Sequence, residues 1–449
     1  MTVPMMVALA ITVFMIILIM IDRLPFGVPP LIACLLMVVF NVVPINVAFS
    51  GFANATIVML ASFMAVIAAL QKTDLVSGFK RTISGLATKG GFRAYVLIIV
   101  FVMVGCSIFG TGSTAYYVLV IGLLSTLAYN KKLPPSKVLM PAGFAANHPM
   151  LPFNVALQYG IVVAVLEAAG VNERVDLVRF SLVNLVLSLG FLIWCLVAYR
   201  MLPDHPITDE ERAADETTGG GRPAPRSGGI ADAAATATAT ATVIAPALTR
   251  QQQLATYVSF VVAIAGMISY SYIGDGGYAI TGLSVVILLL TRVLNFAEIR
   301  DAISQPIILM SAGVIGIAEA LGATGLTQLV GETVAGMLGG NVSPFLLVFV
   351  FCVLTSVLAT LTGSTIGTVY VFAPLAIATC VGLGLDPTAA AIAIVISGWN
   401  GHFLPIDGLP AMVMGVGKYS LVQFWKFTIP MYFIRLLALT AGALVLFPM

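Results

Sequence analysis

Thr362, Gly363, Ser364 and Thr365 stand deep inside an apolar stretch, and the same four residues stand at Thr111, Gly112, Ser113 and Thr114 inside another. A polar turn at membrane depth survives only where protein or a water-filled cavity satisfies its backbone N–H and C=O groups, so each turn is expected to line a site. Two copies imply a duplicated fold. The reading that follows is a secondary transporter whose binding site lies between two related halves.

Composition agrees with a membrane protein. Hydrophobic residues make up 60% of the chain and charged residues 9%, against about 25% charged in soluble domains. The net charge is +2, with no basic tract of the kind that binds nucleic acid. Cys34, Cys106, Cys195, Cys352 and Cys380 fall in apolar segments without metal-ligand spacing, which points to packing. The first apolar run, 3–21, lacks a positive leading region and a small-residue cleavage site, as expected of a retained span.

In the first repeat, 1–202, spans are expected near 3–22, 28–46, 54–71 and 180–200. Residues 94–128 are two apolar runs joined by the Thr111 turn. Residues 136–169 are two more, interrupted by the stretch from Asn147 to Asn154. Residues 203–250 turn acidic, then Gly/Pro-rich, then Ala/Thr-rich, and cannot bury a core, so they read as a disordered cytoplasmic linker. The second repeat, 251–449, restores the pattern with spans near 253–272, 276–295, 304–322 and 427–447, a hairpin 345–384 and a broken segment 388–417. Ala69, Leu70, Thr73 and Leu75 align with Ala320, Leu321, Thr324 and Leu326 at the same offset that relates the two turns. Further on, Asn147, Leu151, Pro152 and Asn154 align with Asn400, Leu404, Pro405 and Asp407. Several matches in one order argue for a real repeat.

Charge gives the orientation of each half, because Lys and Arg accumulate on the cytoplasmic side of short loops. The 72–93 loop carries Lys72, Lys80, Arg81, Lys89 and Arg93, whereas its repeat mate, 323–344, carries neither Lys nor Arg. Opposite bias in equivalent loops is expected of inverted halves. The expected fold is an all-α polytopic membrane protein of about ten spans, two re-entrant hairpins and two broken helices, with both termini outside. In that topology every Lys and Arg is cytoplasmic except Arg174, Arg179 and Arg435. The expected location is the cell inner membrane.

Each hairpin tip places helix-ending carbonyls beside helix-starting amides at the midplane, the former suited to a cation and the latter to an anion. The tips, Thr111, Gly112, Ser113, Thr362, Gly363 and Ser364, together with Asn147, Asn400 and Asp407, are the candidate sites for the coupling ion. Ser113, Thr114, Ser364, Thr365 and Asn154 are the candidates for the solute. Sodium is the only metal expected, and no cofactor. Asp407 is the only acid within the two breaks, and an intramembrane carboxylate is a functional candidate by default, as sodium ligand or proton carrier. His148 and His402 also sit in the breaks and suggest a proton relay. No buried Lys or Arg is expected in either cavity.

At these residues the chain resembles the divalent anion:sodium symporter family, within the larger group of citrate, arsenite and sodium/proton transporters. The resemblance rests on Gly51, Phe52, Ala53 and Asn54, on Leu133, Pro134, Pro135 and Ser136, and on Phe403, Leu404 and Pro405 through to Gly417, Lys418, Tyr419 and Ser420. It implies an elevator-type homodimer that carries a small organic anion such as a carboxylate with sodium or protons. That family's tips read Ser-Asn-Thr, where this chain has Gly112, Ser113, Thr114 and Gly363, Ser364, Thr365; Leu409, Pro410 and Ala411 replace its Pro-Pro-Asn. The nearest alternative is a sodium/proton antiporter working through Asp407. A passive channel and an intramembrane hydrolase built on Ser364, His402 and Asp407 are more distant ones; the latter lacks the G-x-S-x-G turn.

Overall fold

The computed structural model describes residues 2–21, 24, 28–110, 114–127, 129–151, 156–171, 174–207, 248–304, 306–326, 329, 333, 343–362, 365–405 and 408–449. All secondary structure among them is helical. Six described helices are long and apolar enough to cross a membrane, and several shorter apolar helices accompany them.

The first repeat opens with α1 (Val3–Ile21), α2 (Val28–Val39), the short α3 (Ile45–Ala48) and α4 (Ala55–Gln71). The 28–46 stretch is therefore not one continuous helix. Asn41 takes a positive φ, and a 3-10 turn, Ser50–Ala53, leads into α4, whose first turn Asn54 caps through Thr56 N. Gly51 makes this possible: a Cβ there would collide with the Ala312 carbonyl, so only glycine lets the turn lie against a neighbouring backbone. The amphipathic α5 (Leu75–Lys89) follows, with Lys80, Arg81 and Lys89 exposed. Next come α6 (Gly91–Phe109), α7 (Thr114–Ser125), α8 (Pro135–Ala145), α9 (Ala156–Ala168) and α10 (Leu177–Ala198).

The second repeat runs through α11 (Arg250–Ile273), α12 (Asp275–Leu290), α13 (Phe296–Ile303), α14 (Pro306–Thr324), α15 (Pro344–Thr362), α16 (Thr365–Gly382), α17 (Thr388–Gly398), α18 (Gly408–Gly417) and α19 (Leu421–Leu446). Three of these helices start on capping boxes, Thr249 with Gln252, Asn295 with Glu298 and Ser420 with Gln423, each satisfying amides that the first turn leaves open.

Packing follows an internal two-fold. α8 packs on α18 as α17 packs on α9, α7 on α18 as α16 on α9, and α2 on α14 as α12 on α4; α10 and α19 pair with each other across the axis. The first hairpin folds back on itself, with the Tyr116 hydroxyl donating to Val102 O at 2.7 Å and the Phe109 and Tyr116 rings stacked at 5.1 Å. In the second, α15 packs along α16.

The start of the expected linker is not free chain. The Ser136 hydroxyl donates to Pro203 O and accepts from the His205 amide, Lys137 pairs with Asp204 at 3.5 Å, and Leu202 and Ile207 are buried. Its other end, from Thr249, belongs to α11. Residues 208–247 lie outside the described residues.

Candidate functional site

The two breaks meet at the buried centre. α8 ends at Ala145, and Asn147, 6% exposed, reaches across to the opposite repeat, where its Nδ2 donates to Trp399 O at 3.0 Å. Trp399 and Asn400 are the residues at which α17 ends. Asn400 Nδ2 donates to Ile396 O at 2.9 Å, the carbonyl one turn back, which leaves its Oδ1 free to accept.

What Oδ1 accepts from is Arg435. This arginine of α19 is fully buried, and its Nη2 donates to Asn400 Oδ1 and, at 3.4 Å, to Trp399 O. The expectation that no buried Lys or Arg serves either cavity is therefore overturned. The Ser420–Gln423 capping box starts α19 several residues before the expected span, 427–447, and Arg435 lies in the interior of both.

The hairpins hold both breaks. Ser107 of α6 accepts from the amides of Met150 and Leu151 at 2.8 and 2.9 Å, supplying the acceptor that the interrupted helix no longer provides. On the other side Gly401 lies against α15 so closely that a Cβ would collide with Thr360 Oγ1. Ser356 of the same helix shares a 2.9 Å hydrogen bond with Tyr432, one turn from Arg435. Thr365, at the start of α16, lies against Gly398 and so brings the second tip to the second break.

The two histidines are placed differently from one another. His148 Nδ1 lies 2.7 Å from Phe144 O, which fixes that nitrogen as the donor, and its ring stacks on Phe191 at 3.9 Å between centroids. His402 takes φ of +40°, uncommon for a non-glycine residue, and its ring sits 5.8 Å from that of Phe144. No hydrogen bond joins the two rings among the described residues, and neither His148 Nε2 nor His402 Nδ1 has a partner. Thr111, Gly112, Ser113, Gly363, Ser364, Asn154 and Asp407 lie outside the described residues, and of Thr114 and Thr362 only the backbone is described.

Ser107, Trp399, Tyr432 and Arg435 were not read as site residues from sequence. A signal for Arg435 exists, however. Leu177, Val178 and Phe180 recur as Leu421, Val422 and Phe424 at the starts of α10 and α19, after the N-caps Asp176 and Ser420. That register sets Arg435 opposite Phe191, the residue stacked on the first break.

Two solved structures resemble this one across most of their length. The Alcanivorax borkumensis YdaH transporter superposes with a TM-score of 0.56 at 15% identity, covering 89% of this chain and 87% of its own. MtrF of Neisseria gonorrhoeae, described as an antimetabolite efflux pump, gives 0.55 at 14%, covering 92% and 84%. At that identity the likeness shows the fold alone. None of the curated proteins matches the chain. The citrate transporter family, CitMHS, matches residues 16–397, which places the chain in the wider transporter group that its sequence resembles. With most of its length matched in this way, the chain belongs to the citrate transporter family, and is a transporter rather than an enzyme.

Proposed function

We propose that the protein is an ion-coupled secondary transporter that carries a small organic anion, a carboxylate above all, by an elevator-type movement. The observation that carries this reading is the bond from Asn147 to Trp399 O, through which breaks from the two repeats meet at one buried point. A broken helix presents carbonyls from one half and amides from the other, so a cation and an anion can be held side by side where two such breaks meet. Both hairpins contribute a residue beside the breaks, Ser107 of α6 at the first and Thr365 at the start of α16 at the second. Sodium suits the oxygen donors of the tips, and a proton suits Asp407.

One-sided packing supports the movement. α9 packs on α4 and α14, and α16 on α1, whereas their repeat mates α18 and α7 make no comparable contact with α14, α4 or α11 among the described residues. An inverted pair engaged at one end only has a second, equivalent arrangement available, with the other end engaged.

The test is uptake of radiolabelled citrate, succinate and related carboxylates into proteoliposomes under separately imposed inward sodium and proton gradients. The reading expects carboxylate uptake driven by one of them. Sodium moving against protons, with no solute taken up, would favour the antiporter, and uptake indifferent to both gradients would reject coupling.

A further inference from the structure

A buried guanidinium has five N–H donors and a full charge to satisfy. Among the described residues Arg435 has two acceptors, Asn400 Oδ1 and Trp399 O, both reached by Nη2. Its Nε and Nη1 have no partner, and the described ion pairs include none to Arg435. Its surroundings add hydroxyl and aromatic groups, Tyr432 and Trp399, but no carboxylate among the described residues. An uncompensated buried charge is strongly destabilising, so such a cation is retained where an anion arrives to meet it.

The internal two-fold tells whether the fold itself needs the charge. In the register set by the N-caps of α10 and α19, the position equivalent to Arg435 is Phe191, which closes the first break by stacking on His148. One repeat therefore closes its break with a phenyl ring and no charge. The second places a guanidinium at the same point with donors to spare, and it does so beyond residue 397, where the family match ends. The architecture accounts for a large side chain there, but not for an arginine.

We propose that Arg435 is the fixed counter-charge for the transported anion and binds one of its carboxylates through the unpartnered Nε and Nη1, beside Asn400 and Trp399 at the second break. This rests on the reading that the solute is an organic anion. Guanidinium suits the role better than an ammonium, being planar and charged at every physiological pH. Asn400, by engaging Nη2, holds the fork in place and acts as a positioning residue.

The experiment is thermal unfolding of the full purified chain titrated with citrate, succinate and chloride at matched sodium and ionic strength, for wild type, Arg435→Gln and Arg435→Lys. The wild-type midpoint should rise with the carboxylates and not with chloride. Arg435→Gln should fold and lose the carboxylate response, and Arg435→Lys should need at least about tenfold more citrate for half its effect, the change that loss of one charge-assisted, geometrically matched contact produces. Should the Gln variant fail to fold, the Lys variant decides. A folded variant of either kind responding at the wild-type concentration would overturn the assignment, as would a chloride response equal to that of citrate. A wild-type protein unresponsive to every carboxylate would instead remove the organic-anion reading on which the assignment rests.

Discussion

Ser107 is one side chain holding two backbone amides, those of Met150 and Leu151, at the point where the first broken helix loses its own acceptors. Ser107→Ala leaves the half-buried Leu151 amide without its partner, at a cost of about 1–3 kcal/mol for one unsatisfied group, while the Met150 amide keeps Met103 O at 3.3 Å. A lower thermal midpoint and slower uptake are expected; an unchanged midpoint would show that another acceptor takes over. Gly401 carries a complementary constraint. Gly401→Ala should destabilise by roughly 1–3 kcal/mol, the usual range for overpacking a filled interior. Thr360→Ala in the same chain should recover part of that loss by removing the hydroxyl the new Cβ meets, though Ser356 O also lies 2.7 Å from the Cβ position and limits the recovery. Equal midpoints for the single and double variants would contradict this packing.

Between elements, the junction of α4 with α13 depends on charge. Lys72, just past the end of α4, pairs with Glu298 at 2.5 Å, and Glu298 also closes the capping box with Asn295. Burial pushes the Glu298 carboxyl upward, but the hydrogen bond and charge of Lys72, with the Asn295 amide, outweigh it and hold the group below its ordinary value of 4.5. A carboxylate whose pKa is depressed by folding stabilises the fold above its unfolded-state value, and that contribution is lost as the pH falls through the folded value. Acidification into that window should therefore lower the midpoint of the wild type more than that of Glu298→Gln. With the side chain 37% exposed the difference is small and shrinks in high salt. Parallel pH profiles for the two proteins would show that the pair contributes nothing to this junction.

At this scale much of the structure was legible in sequence. The Thr-Gly-Ser-Thr turns and the Asn-to-Pro interruptions mark where helices stop, because glycine, proline and small polar side chains act on the local backbone. Arg435 was not legible in the same way. Its burial depends on the helices packed around α19 and on a partner, Asn400, that lies outside its own helix. The contact of Asn147 with Trp399 likewise joins the two repeats and has no local trace.

Over the whole molecule, the inverted repeats predict what the present arrangement does not contain. Gly160 of α9 lies against Leu60 of α4, where a Cβ would fall within 2.7–3.0 Å of the leucine carbons. Their repeat equivalents are Val413 of α18 and Ser311 of α14, both buried; here Val413 packs toward Gly143, and Ser311 accepts from the Tyr370 hydroxyl. If the two ends of the carrier exchange roles, Val413 comes to Ser311 as Gly160 now stands to Leu60. The most direct measurement is disulfide formation between Ser311→Cys and Val413→Cys, in a chain whose five native cysteines are replaced, followed alongside carboxylate uptake in proteoliposomes. The account predicts that the pair cross-links during turnover and that the cross-link stops uptake reversibly, reduction restoring it. Sustained uptake without any cross-link would contradict an exchange of the two repeats as the transport step.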